Sequence, residues 1–119
     1  MDVDMSDYSQ IQRPSPRARA TFVCAKVLKA MADDTRLRIL RLLFQGEHSV
    51  GEIVQALGLP QTQISHHLAI LRAASLVEDE RRGQRVVNRL DPRVYDSFAS
   101  GSRIDLGCCV VEFRPIEPT

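Results

Sequence analysis

Residues 59–90, LPQTQISHHLAILRAASLVEDERRGQRVVNRL, decide how this chain folds. Pro60 is preset for a helix start, because its ring fixes φ and its missing amide hydrogen would have no partner there anyway. Ile64, Leu68 and Leu71 then recur at i, i+4 and i+7, which turns one face inward and leaves Gln61, Thr62, Gln63, Ser65 and His66 outward. Immediately after, residues 76–81 and 85–90 read as two strands around Arg82-Gly83-Gln84, with Gly83 supplying the turn. A polar-faced helix followed by a cationic hairpin suits insertion of the helix into a DNA groove beside a flanking wing.

Working outward, a helical pattern begins at Arg17, with Ala20, Cys24, Val27, Leu28 and Met31 as one apolar stripe. Asp33 is a good N-cap for a second helix, in which Leu37, Leu40, Leu43 and Phe44 are apolar and Arg36, Arg38 and Arg41 polar. Gly46 follows its last turn, where a left-handed residue is expected. Ser49-Val50-Gly51-Glu52 is a capping-box pattern that predicts a short helix through Ile53, Val54 and Leu57, stopped by Gly58. With Gly58-Leu59-Pro60 as the link, two short helices make a helix-turn-helix whose second helix is the reader. Beyond the hairpin, Asp91-Pro92 predicts a short helix carrying Val94, Tyr95 and Phe98 and ended by Gly101, and the β-branched remainder predicts a terminal strand. The expected fold is mainly α with a β-hairpin wing (α+β), a dimeric winged helix-turn-helix. Residues 1–15 are expected as a mobile tail, 16–100 as the DNA-binding and dimerisation domain, and 101–119 as a C-terminal segment.

A length of 119 residues bounds the chain to one domain, of a size that a partner subunit helps to stabilise. Nothing approaches a membrane-spanning apolar run, and the acidic start MDVDMSDYSQ is unlike a secretory signal. The chain is therefore expected in the cytoplasm, away from membranes, with Cys24, Cys108 and Cys109 as thiols rather than a disulfide framework. A net charge of +1 says little about nucleic acid, but its distribution says more. Asp2, Asp4 and Asp7 lie in the tail, whereas Arg81, Arg82, Arg85 and Arg89 fall in the hairpin; a phosphate-binding wing and a merely solvated face both remain open.

The candidate reader face carries Gln, Thr, Ser and His, all able to meet base edges, and no carboxylate to repel phosphate. An ordinary exposed helix would carry Glu and Lys pairs, and this one has none until Arg72. His66 and His67 are adjacent, about a quarter-turn apart on a helix, so they form no chelate; His66 suits base or phosphate contact and His67 suits packing. No nucleophile–base motif, phosphate-cradling loop or paired-carboxylate pattern points to an enzyme. A winged-helix module that binds protein is the other class to be tested.

Together, the run Leu28-Lys-Ala-Met-Ala-Asp-Asp-Thr-Arg-Leu-Arg-Ile-Leu40, Ser-Val-Gly-Glu-Ile, Gln-Ile-Ser-His-His-Leu and Arg-Arg-Gly-Gln-Arg resembles the ArsR/SmtB family over roughly residues 20–95. That resemblance implies a homodimeric repressor joined through its first and last helices and reading an imperfect palindrome in double-stranded operator DNA. By position it makes Gln61, Thr62, Gln63, Ser65 and His66 reader residues, and Arg81, Arg82, Gln84 and Arg85 wing contacts. Asp34 stands where the family usually has proline, a change expected to affect only the helix start.

The family's sensing sites vary. Where its arsenic sensors carry Cys-Val-Cys-Asp, this chain has Ser49-Val50-Gly51-Glu52, and no histidine follows His67 to build the zinc site of the last helix. Cys24, Cys108 and Cys109 remain, in regions that the resemblance assigns to the dimer interface. Three thiolates suit a soft pyramidal As(III) or Sb(III), which would act as inducer rather than permanent cofactor, with no structural metal expected. Redox or persulfide sensing through the same cysteines, most simply by bridging Cys24 to one of the pair, and inert packing stay open beside it.

Overall fold

The computed structural model describes residues 16–95 and 102–114. In chain order the elements are α1 Pro16–Met31, α2 Asp34–Leu43, β1 His48–Ser49, α3 Val50–Leu57, α4 Gln61–Ala73, β2 Val77–Arg82, β3 Arg85–Leu90, β4 Ser102–Asp105 and β5 Val110–Phe113. The expected mobile tail, Phe98 and Gly101 fall outside the described residues.

Local chemistry sets the helix ends. The Asp33 carboxylate accepts from the Arg36 amide at 3.0 Å and opens α2, so the absence of proline at position 34 leaves the start intact. Ser49 and Glu52 complete a reciprocal capping box, with the Glu52 amide donating to Ser49 Oγ and the Ser49 amide donating to Glu52 Oε1. Gly58, at φ 68, ends α3 in the left-handed conformation that a side chain disfavours. Pro60 occupies the N-cap of α4 rather than its first turn. At the other end of α4, Ser75 adopts φ 60 while the Leu76 amide donates back to the Leu71 carbonyl, a Schellman-type stop without glycine.

Ile39, Leu40, Ile53, Ile64, Leu68, Leu71 and Leu76 are fully buried where α2, α3 and α4 meet under the sheet. Burial of each such side chain contributes about 1.5–3 kcal/mol. The wing is wider than a hairpin: β1 pairs antiparallel with β3, His48 opposite Asn88 and Ser49 opposite Val87, giving the order β1-β3-β2. Two residues expected among the apolar, inward-facing set are substantially exposed, Leu28 at 42% and Leu37 at 37%. For Leu28 the reason is helical phase, since the buried face of α1 runs through Cys24, Val27, Ala30 and Met31 and leaves Leu28 at its edge.

The segment after β3 departs from expectation. Residues 92–94 form a turn, with both Asp91 carboxylate oxygens held by Arg93, and Tyr95 bridges Ile104 as an isolated β pair. The terminal strand is instead a hairpin, β4 against β5, turned at Gly107-Cys108 with Gly107 at φ 88. It closes onto the domain through Ile104 and Phe113, with Phe44 packed against Tyr95 and Phe113 at ring separations of 5.4 and 5.1 Å. No described helix is long and apolar enough to cross a membrane.

Candidate nucleic-acid interface and thiol site

The buried Ile64, Leu68 and Leu71 fix the rotation of α4, so Gln61, Thr62, Gln63, Ser65 and His66 are all exposed on its opposite face and N-terminal half. Pro60 provides no side-chain cap and the first turn holds no acid, so the outermost α4 amides remain available to an anion. His67 behaves differently from His66: it turns back toward the α2 start, its Nδ1 lying 3.2 Å from an Arg36 guanidinium nitrogen and 3.8 Å from Asp33 Oδ2.

Arg81, Arg82, Gln84 and Arg85 are all exposed at the wing tip, but they are not equally free. Arg82 donates to Glu47 and to Glu80 at 2.9 Å, and Arg85 donates to Glu52 at 2.7 Å. Arg89 donates to Glu78 at 2.7 Å and to Glu80 at 3.0 Å. Arg81 reaches only the Gly83 carbonyl, at 3.3 Å, and has no acidic partner among the described residues. Hydrogen bonds from Arg82 and then Arg89 hold the Glu80 carboxyl below the usual glutamate range. The Glu52 carboxyl is lowered first by the Ser49 amide it accepts from in the capping box. The wing's positive charge is therefore largely engaged by carboxylates at neutral pH, leaving Arg81 as its least encumbered cation.

The cysteines converge, and their state differs from expectation. Cys24, 2% exposed on α1, is bonded to Cys108 in a disulfide, with a Cα–Cα distance of 6.6 Å. The hairpin turn at Gly107 carries Cys108 over α1, within the range two cysteines need in order to bridge. Cys109 is an exposed free thiol whose Sγ lies 3.5 Å from that of Cys108. All three sulfurs thus meet within one chain. Among the described residues no group of three or more His, Cys, Asp or Glu side chains is arranged to hold a metal ion, two of these sulfurs being spent on each other.

Sequence reasoning missed the partners of the wing. Glu52 was visible only as a helix cap, and Glu47 gave no local signal; Glu78 opposite Arg89 follows from hairpin register alone. It also missed the contact between Arg36 and His67, which lie 31 residues apart.

A three-helix head with a reading helix flanked by a cationic wing defines a winged helix-turn-helix DNA-binding module. Residues 33–79 match the model of the bacterial regulatory proteins of the arsR family. The chain is 49% identical over 69 residues to the arsenic resistance transcriptional regulator ArsR1 of Pseudomonas putida, covering 57% of this chain and 54% of that protein. It is 38% identical over 84 residues to the biofilm growth-associated repressor of Agrobacterium fabrum, covering 71% of each. A solution structure of a homodimeric winged helix-turn-helix DNA-binding domain from Mycobacterium bovis superposes with a TM-score of 0.59 at 41% identity, over 65% of this chain and 72% of that one. The chain belongs to the arsR family of bacterial transcriptional regulators. It spans little more than half the length of the Pseudomonas regulator.

Proposed function

We propose that this chain is a homodimeric, cytoplasmic transcriptional repressor that binds an imperfect palindrome through α4 and the wing. As(III) or Sb(III), bound by Cys24, Cys108 and Cys109, releases it. The observation that carries this reading is the meeting of all three sulfurs at one point of one chain, away from the reading face. The donor set fits the inducer once the bridge is reduced: three thiols and arsenous acid give a tris-thiolate and three waters. A soft pyramidal centre takes sulfur in preference to nitrogen or oxygen. The name of the Pseudomonas relative and the homodimeric state of the mycobacterial domain support the reading.

A second reading rests on the bridge itself. A persulfide donor is then the signal: it transfers its outer sulfur to one of Cys24 and Cys108 and leaves as a thiol, and the other thiolate displaces hydrosulfide to close the bridge, with Cys109 as the neighbouring thiol. One experiment separates the two. Reduced protein bound to labelled operator is titrated with arsenite, antimonite, zinc, cadmium and a persulfide donor, using the wild type and Cys24→Ser, Cys108→Ser and Cys109→Ser. Release by arsenite that all three substitutions weaken supports the metalloid reading. Release by persulfide alone, abolished by Cys24→Ser and Cys108→Ser, supports the second. No release by any of them refutes both.

A further inference from the structure

One side chain that neither activity uses directly spans from the helix that carries Cys24 to the reading helix. Cys24 lies in α1, and six residues further along the same helix the Ala30 carbonyl belongs to its last turn. That carbonyl accepts a hydrogen bond from Arg36 Nε. The same guanidinium reaches His67 Nδ1 on α4 at 3.2 Å. Arginine has no acceptor, so in this contact the guanidinium donates and His67 Nδ1 accepts. The arrangement is fixed from below, since the Arg36 amide donates to Asp33, whose carboxylate also lies 3.8 Å from His67. On its outward side His67 meets the His66 ring edge-on at 5.7 Å between centroids, and His66 is a candidate reader.

We infer that Arg36 is the positioning residue that transmits the state of the Cys24 site to the reading helix. Its planar fork binds two elements at once, the carbonyl end of α1 and the buried edge of α4, so a shift of α1 against the core moves the histidine pair with it. The sulfur chemistry acts on α1 from the other side, because the bridge ties Cys24 to the β4–β5 turn. Reduction of the bridge by a cellular dithiol, which is itself oxidised to its disulfide, releases that tie, and a metalloid then bound by the freed thiolates, with loss of water, redraws it. The Ala30–Arg36–His67 link is a hydrogen-bonded route from α1 to the reading helix, beside the direct packing of α1 on α2 and α4. A lysine at position 36 has a single donor head without the fork, and cannot hold both acceptors in this geometry.

The inference rests on the proposed thiol site and is tested so that the two can fail separately. Operator affinity is measured with the full chain reduced, bridged, and reduced with arsenite, for the wild type, Arg36→Lys, His67→Phe and His67→Asn. Thiol titration and arsenite binding to the cysteines are read in parallel. The wild type is expected to change affinity by about 5–150-fold between sulfur states, and Arg36→Lys and His67→Phe by less than about twofold. Both variants should keep the wild-type thiol count and arsenite binding, and also the wild-type urea midpoint, which a general loss of structure would not leave intact. His67→Asn retains an acceptor near the position of Nδ1 and should restore most of the response; His67→Phe fills the same space without one and serves if Arg36→Lys fails to fold. A wild-type response that persists in Arg36→Lys and His67→Phe overturns the role of Arg36 alone. A wild type indifferent to its sulfur state overturns the thiol reading, and this inference with it.

Discussion

If the wing arginines are engaged by carboxylates, removing those carboxylates should strengthen the phosphate-dependent part of DNA binding. Glu80 accepts from both Arg82 and Arg89, and Glu47 accepts from Arg82. Glu47→Gln with Glu80→Gln preserves shape while removing both carboxylate charges from Arg82, though the amide oxygens can still accept, and leaves Arg89 with Glu78 as its charged partner. Each phosphate neutralised on duplex DNA adds about −0.9 to the slope of log K against log salt. One freed arginine therefore steepens the slope by about 0.9, equivalent to about 3.5-fold more affinity lost between roughly 50 and 200 mM salt, and two freed arginines by about 1.8. Fluorescence anisotropy over a salt series, on a selected operator and on random DNA, reads this directly. The shift should be the same on both, because phosphates carry no sequence information. Glu112→Gln, on the C-terminal hairpin and paired with Arg103, gives the effect of one unit of net charge away from the wing, against the two units changed by the double variant. An unchanged slope in the double variant, or a shift confined to the operator, refutes the reasoning.

Other outcomes follow from the same geometry. Arg81→Ala should flatten the salt slope by about 0.9 on any sequence, whereas Gln63→Ala should leave the slope and change base preference, as a panel of single-base operator variants would show. Leu68→Ala, at a wholly buried α4 position, should lower unfolding free energy by about 2–5 kcal/mol in urea titration. Ser75→Gly should raise it by up to about 1 kcal/mol, since glycine tolerates the φ of 60 that serine bears there. Asp91 is held below the ordinary aspartate range, chiefly by hydrogen bonds from the Arg93 side chain. The unfolded state then binds more protons through that window, so this contribution is present above about pH 4 and is lost as pH falls through the folded value. Asp91→Asn should flatten the acid limb of a stability–pH curve, and an unaltered limb would count against the assignment.

What the sequence made legible was what is encoded locally. Asp33, the Ser49–Glu52 box and Gly58 each act on amides within four residues, and the spacing of Ile64, Leu68 and Leu71 fixes the α4 face without any distant partner. The exposed face of α4 could be read off for that reason. The state of the cysteines could not, because the Cys24–Cys108 contact spans 84 residues and depends on a hairpin whose turn sits on Gly107. The same limit hid β1, whose two residues acquire strand geometry only by pairing with Val87 and Asn88. It also hid the neutralisation of the wing, since Glu47 and Glu52 arrive from another element. Leu28 lies just outside the buried stripe that its spacing predicts, a matter of helical phase that only packing resolves.

The bridge between Cys24 and Cys108 encloses nearly the whole winged domain within a single covalent loop. Closing a loop of this size removes chain entropy from the unfolded ensemble equivalent to about 4.5 kcal/mol in the loop-closure treatment. Bridged and reduced forms of the regulator would then differ in lifetime, whatever their affinities for DNA. The reduced protein would sample unfolding, and meet proteases, far more often than the bridged one. A cell that changes the sulfur state would thereby change how much of the regulator persists, a slower memory laid over the binding response proposed for the thiols.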